Sequence, residues 1–161
     1  MTKRVSPFNS PLETGVRALS ILEAAHPNGC DLQRLVELDY LVVHSGDAGG
    51  PESLHAPLPM RAGELLVRRE IIERGLLLMA SRGLVERVAS PGGILYHASE
   101  AAAPYMTALS APYSIELRAR ASWAVQAFGH MTTDALRTIT QRFFEKWTSQ
   151  FEPGQLRGPA A

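Results

Sequence analysis

Residues 61–99, RAGELLVRREIIERGLLLMASRGLVERVASPGGILYHAS, constrain the fold more than any other part of the chain. Apolar residues recur at helical spacing from Ala62 to Ser81, and Arg82-Gly83 is a helix stop. Two short runs, Leu84–Ala89 and Ile94–Ala98, flank Pro91-Gly92-Gly93, the punctuation of a hairpin turn. A long helix running directly into a small hairpin is the core of a winged-helix domain. Winged helices either read DNA or act as adaptors gripping a partner protein, so the remaining residues must choose between those duties.

The flanking elements read as helices. Ser10-Pro11-Leu12-Glu13 fits a capping box with proline at the first helical position, and Leu12, Val16 and Leu19 then form a stripe expected to be buried. His26-Pro27-Asn28-Gly29 ends this helix. Asp31 caps a second, LQRLVELDYLVVHS, apolar over more than one face and so largely enclosed; its β-branched end, Leu41-Val42-Val43, also fits a short strand. Residues 46–61, GDAGGPESLHAPLPMR, form a long Gly/Pro loop, a surface insertion or a functional segment. In the long helix, Leu65, Ile72, Leu76 and Met79 make one stripe, Val67, Ile71 and Leu78 a second, Leu66 and Leu77 a third. Three stripes predict packing on several sides. Between them Glu64 with Arg68, Arg69 with Glu73, and Glu70 with Arg74 stand at helical pairing distance. Leu84, Val88 and Glu86 alternate only in part, which leaves the hairpin's faces unassigned. Ser99 caps a short helix over 101–109, Ala111-Pro112 breaks it, and 113–128 form a helix with the stripe Leu117, Ala121, Ala124, Phe128. Gly129 stops that helix. Thr132 or Thr133 caps a last one to about Phe151, with Leu136, Ile139, Phe143 and Trp147 on one face. The expected organisation is an arm over 1–9, a mainly α, winged-helix-like domain over 10–110 (loop 46–61, wing 84–98), a helical extension over 111–151 and a disordered tail over 152–161, with no internal repeat.

Composition narrows the function. The chain has 161 residues, 45% of them hydrophobic, and a formal net charge of zero, with a pI near 7.0. A protein living on nucleic acid carries a basic surplus, absent here overall. Lys3 and Lys146 are the only lysines, and arginine favours planar, hydrogen-bonded interface contacts. Cys30 stands alone, which excludes an intrachain disulfide and a cysteine-based zinc site. No apolar run reaches spanning length, and MTKRVSPFNS is not a signal peptide, so a soluble cytoplasmic protein without membrane contact is expected.

The side chains capable of catalysis are His44, Ser45, Asp47, His55 and His97. Ser45 lacks the G-x-S-x-G frame of a nucleophile elbow. His44, Asp47 and His55 match no established zinc spacing, and a loop cap explains His44-Ser45-Gly46-Asp47 better. No G-x-x-x-x-G-K-[ST] phosphate loop exists. The expectation is no catalytic, metal or cofactor site, and no cofactor. For DNA stand Arg82 and Arg87 beside the hairpin and the set Arg61, Arg68, Arg69, Arg74. Against it stand the zero charge, the Glu–Arg pairing and a hairpin tip, Ser90-Pro91-Gly92-Gly93, with no basic residue. Autonomous sequence reading is not expected; weak backbone contact through Arg82 and Arg87 inside a larger complex stays open.

Several phrases, FNSPLETGVRAL, DLQRLVELDYLVVHSGD and RAGELLVRREIIERGLLLMASRGLVER with the following hairpin, resemble the middle component of bacterial ABC-three-component systems, a group that includes Lamassu-type anti-phage defence. The resemblance runs from about Phe8 to Phe128. It implies a non-enzymatic adaptor on an SMC- or Rad50-like coiled-coil ATPase, linked to an effector, nuclease or other, that it restrains or releases. It transfers no residue-level mechanism. From the residues themselves, the 44–60 loop and the start of the long helix are a candidate partner surface, with His44, Asp47, Arg61, Glu64, Arg68 and Arg69 its members; helix-internal salt bridging explains the arginines equally well. Trp123, Phe144 and Trp147 are candidates for a dimer or ATPase contact, with core packing the alternative. The competing function is a winged-helix transcription regulator, and a metal- or serine-dependent enzyme is the third.

Overall fold

A computed structural model describes residues 10–55 and 64–151, and only the backbone of 64–66, 144 and 146–151. The chain is mainly helical with one two-stranded antiparallel hairpin. The arm over 1–9, residues 56–63 and the tail lie outside the described residues.

Local chemistry sets most boundaries. Helix α1 (Pro11–Ala25) opens with Pro11 in its first turn, and Ser10 Oγ accepts the Glu13 N–H at 3.2 Å. After a cis His26–Pro27 bond, Cys30 exchanges two backbone hydrogen bonds with Tyr96, at 2.9 and 2.8 Å. Asp31 caps α2 (Leu32–Val43) by accepting the Arg34 N–H at 2.7 Å. Leu41-Val42-Val43 is therefore helical and not a strand: all three are buried, and packing overrides β-branched propensity. A 3₁₀ turn, Ser45–Ala48, follows.

Helix α3 (Glu64–Ser81) ends where the sequence places its stop. Gly83 adopts φ +69°, its N–H bonds to Ala80 O, and the Leu84 N–H reaches back to Met79 O. This is a Schellman ending, which glycine enters without a Cβ penalty. Strands β1 (Val85–Ser90) and β2 (Gly93–Ala98) pair in the register Val85↔Ala98 to Ser90↔Gly93, leaving Pro91-Gly92 as the turn. Val85, Arg87 and Ala89 thus share a face with Ala98, Tyr96 and Ile94. The base of that face is buried at Val85, Tyr96 and Ala98, while Ile94, at its outer end, is exposed. The order helix, bridging residue, helix, helix, hairpin is compatible with a winged helix. Helices α4 (Ala102–Ala108), α5 (Pro112–Phe128) and α6 (Thr133–Phe151) complete the chain. Ser99 stands just before the α4 cap, accepting from Ala101 N–H and donating to Gly83 O.

One core unites these elements, including Leu19 and Leu22 of α1, Leu38 and Leu41 of α2, Ile72, Leu76 and Met79 of α3, and Leu117 of α5. Helices α1 and α3 approach closely at two glycines: a Cβ on Gly75 would stand 2.6 Å from Gly15 N. Two expectations need correction. Leu12 is exposed, as α1 meets the core only from its second turn. Among its described side chains, helix α3 is not packed on three sides; those of Leu65 and Leu66 lie outside the described residues. Ile72, Leu76 and Met79 are buried, Ile71 and Leu78 are half-buried, and Val67 and Leu77 are exposed. Apolar periodicity records where apolar side chains lie on a helix, and only neighbouring elements decide which face is covered.

Candidate docking face of α3 and the hairpin

The polar residues singled out in the sequence fall into an interior group and a surface group. Asp39, 2% exposed, is the centre of the interior one. Arg17 Nε donates to its Oδ1 at 2.8 Å and Arg68 Nη2 to its Oδ2 at 2.8 Å. One carboxylate thereby joins α1, α2 and α3. The Arg68 guanidinium also lies 5.5 Å from the centre of the Tyr40 ring, a cation–π distance. Burial works against the charges, but the two arginines hold the Asp39 carboxyl well below the usual carboxylate range. Burial likewise opposes the Arg17 charge, and Asp39 more than offsets it, raising that pKa. Arg68 is thus used inward, on Asp39; the side chain of Glu64, its expected helical partner, lies outside the described residues. Arg69 Nη1 donates to Gln33 Oε1 on α2 at 2.8 Å, and no ion pair links it to Glu73, nor Glu70 to Arg74, among the described residues.

His44, the residue that closes α2, rests against Tyr40 with ring centroids 4.9 Å apart. His55 Nε2 and the Tyr113 hydroxyl are 2.9 Å apart. Burial, with Arg68 beside His44 and Arg17 beside His55, pushes both imidazoles down to about 4. The segment between them is tied down throughout. Buried Ser45 donates its hydroxyl to Pro51 O at 2.8 Å, Gly46 N–H bonds to Ser53 Oγ, and His55 N–H to Val43 O. Arg120 of α5 donates to Glu52 O at 2.8 Å. Gly50 lies under the Trp123 indole, where a Cβ would stand 2.2 Å from the ring. Residues 45–55 are accordingly a strap pinned to α2 and α5. Sequence reasoning missed this, because the anchors to α5, at Arg120, Trp123 and Tyr113, are long-range contacts. His44, Asp47 and His55 serve the strap, and no group of three or more metal-ligating side chains occurs among the described residues. Trp123 is half-buried and also meets Phe128 edge-on at 5.6 Å; the Phe144 and Trp147 side chains lie outside the described residues.

The surface group lies on α3, on the hairpin and on the short connections after each, which hold Arg82 and Glu100. Arg69, Glu70, Glu73, Arg74, Arg82, Glu86, Arg87 and Glu100 are all exposed, four arginines against four glutamates. Val67, Leu77, Val88 and Ile94 are 43–53% exposed; Ile94 is on the cleft side of the hairpin with Arg87, and Val88, opposite Leu95, is on its other side. Beneath the hairpin a cleft of about 410 Å³ opens between Asp31, Leu32 and Gln33 of the α2 start, Arg69 and Glu73 of α3, and Arg87, Gly92, Ile94 and Tyr96 of the hairpin. Of the proposed partner residues, Arg69 therefore lines the cleft, Arg68 turns into the interior, and Glu64 opens α3. Arg61 lies outside the described residues, and His44 and Asp47 sit in the strap region.

An evenly charged, partly apolar surface beside a cleft suits contact with protein. A family model described as ABC-three component (ABC-3C) system Middle Component 2 matches residues 7–150. The chain belongs to this family. The match covers both the three-helix core with its hairpin and the helices after it, so α5 and α6 are part of the middle component and not an appendage peculiar to this chain. No curated protein and no solved structure matches it. As a middle component it works alongside the other components of such a system. No helix among the described residues is long and apolar enough to cross a membrane.

Proposed function

We propose that this middle component is a non-enzymatic adaptor that joins an SMC- or Rad50-like coiled-coil ATPase to an effector, nuclease or other, in a bacterial anti-phage or anti-plasmid defence complex. It restrains the effector until the ATPase signals. The observation that carries the reading is the exposed surface of α3 and of both sides of the hairpin. Winged helices that read DNA present a basic helix and wing to phosphate. Here the exposed charges from Arg69 to Glu100 cancel, and Val67, Leu77, Val88 and Ile94 are exposed as well. Desolvating apolar side chains within a balanced charge pattern favours a protein partner with its own interleaved charges. Arg82 and Arg87 retain at most an auxiliary phosphate contact within the assembly. The non-enzymatic reading is supported by Ser45, whose hydroxyl is committed to a backbone carbonyl in the interior.

The test is co-expression of the tagged chain with the ATPase and effector encoded beside it. The double variant Val88→Asp, Ile94→Asp changes two exposed hairpin residues. The coiled-coil ATPase should co-purify with the wild type and be lost from the variant, whose circular dichroism and melting stay unchanged. Undiminished assembly would remove the face from the interface. Tight, salt-sensitive binding of duplex DNA by the purified chain would favour the regulator instead.

A further inference from the structure

Arg69 and Gln33, which line the cleft beneath the hairpin, are also the first members of a hydrogen-bond chain leading away from it. Arg69 Nη1 donates to Gln33 Oε1 at 2.8 Å, and Gln33 Nε2 donates to Glu37 Oε1 at 2.7 Å. The other carboxyl oxygen of Glu37 accepts from the Thr140 hydroxyl of α6. Glu37 and Thr140 are both buried. The chain crosses from α3 over α2 to α6, and α6 packs chiefly on α2, with Leu136 fully buried.

The chemistry fixes the direction of each link. A guanidinium only donates and a carboxylate only accepts, so the Gln33 amide has one orientation that satisfies both neighbours. If Arg69 is withdrawn, the amide oxygen loses its donor and the amide can turn. The Glu37 carboxylate, buried between two neutral donors, then loses one of them. A buried carboxylate with a missing hydrogen bond is costly, and the relief open to it is to rotate outward, away from Thr140. A partner carboxylate entering the cleft would withdraw Arg69 in this way, because a charge-assisted, two-pronged pair is stronger than a single bond to an amide.

We propose that the hairpin cleft and α6 are coupled through Arg69, Gln33, Glu37 and Thr140, so that engagement of Arg69 in the cleft loosens the seat of α6. That a partner supplies the engagement rests on the adaptor reading, but the coupling belongs to the chain alone and is tested without a partner.

Amide hydrogen exchange of the full chain at neutral pH reads it. Arg69→Met mimics the engaged state, Gln33→Met breaks the middle of the chain, and Arg87→Met removes a cleft arginine that has no place in it. Exchange of the Leu136 to Phe143 amides should quicken about fivefold in Arg69→Met and Gln33→Met, the scale of one net hydrogen bond. The same amides in Arg87→Met, and the α1 and α2 core amides in every variant, should keep wild-type rates. Adding Arg69→Met to Thr140→Val should change nothing further, since the last link is already gone. The coupling is overturned if α6 exchange is unchanged in Arg69→Met, if exchange quickens everywhere, or if the effect persists in full on the Thr140→Val background. A failed ATPase pull-down would leave these rates, and the coupling, untouched.

Discussion

Replacing Asp39 by asparagine is the most demanding perturbation this architecture offers. The side chain keeps its shape and loses its charge, so the loss reports on electrostatics and not on a cavity. Arg17, 3% exposed, would retain its charge in the interior without the carboxylate that now accepts its Nε–H. Breaking a buried pair from one side costs about 3–5 kcal/mol. Arg68 is 16% exposed and can turn its guanidinium to water, so Arg68→Met, which leaves Arg17 on Asp39, should cost only about 1.5–3 kcal/mol, the value of one charged hydrogen bond. Against a typical domain stability of about 5–15 kcal/mol, Asp39→Asn leaves the fold marginal. In urea titrations at pH 7, with a slope near 2 kcal/mol per molar, it should lower the midpoint by about 2 M. The triple variant Arg17→Met, Asp39→Leu, Arg68→Met removes all the charges together and should recover most of the loss, since hydrophobic replacement of a whole buried network is close to neutral. A midpoint shift below about 0.5 M for Asp39→Asn, or an Arg68→Met loss as large as that of Arg17→Met, would refute the assignment of Asp39 as the interior counterion.

Acid should unfold the protein in two stages. His44 and His55 have folded pKa values of about 4, below the ordinary histidine value, so the unfolded chain takes up protons first. Their contribution is complete above about pH 6.5 and is lost as pH falls toward 4, at up to about 1.4 kcal/mol per pH unit for each histidine. Asp39, also depressed, contributes fully above its unfolded value and is lost only below it, so its stage follows at lower pH. Urea midpoints at pH 7.5, 6 and 4.5 measure the first stage, which His55→Gln should reduce; a flat profile over that range would contradict the neutral burial of both rings. Gly75→Ala should lower the melting temperature by several degrees, because its Cβ would meet the backbone nitrogen of Gly15, which cannot move aside, and overpacking costs about 1–3 kcal/mol. Gly92→Ala, with open space around it, is the control and should melt with the wild type.

What could be read from the sequence was local. Ser10 and Asp31 announce helix starts, Gly83 a stop and Pro91-Gly92 a turn, because each acts on backbone groups within a few residues. The α5 stripe Leu117, Ala121, Ala124, Phe128 was legible from its helical spacing, and its first three members are fully buried while Phe128 is half-buried. Asp39 was not, since its partners stand 22 and 29 residues away, and Glu64, four residues before Arg68, offered a nearer pairing by the local rule. The strap was hidden likewise: Gly50 and His55 look like loop residues until Trp123 and Tyr113 of α5 meet them. In α3 the pattern itself misled. Val67 and Leu77 continue its apolar spread, yet about half of each side chain stays exposed, because periodicity does not say which neighbours arrive.

The division of α3 also governs how its arginines should be tested. Arg68 and Arg69 are neighbours in sequence and in any charge map, but one holds three helices together and the other lines a surface cleft. Reversing Arg68 to glutamate would place a second carboxylate against buried Asp39, so the assembly would be lost because the subunit unfolds, and the result would be misread as an interface effect. Arg69 and Arg87 carry no such burden. Charge reversal at Arg87 changes the cleft without touching either the interior ion cluster or the hydrogen-bond chain to α6. A loss of partner binding there, with the urea midpoint preserved, is therefore the outcome that separates a docking role from a folding role on this helix and hairpin.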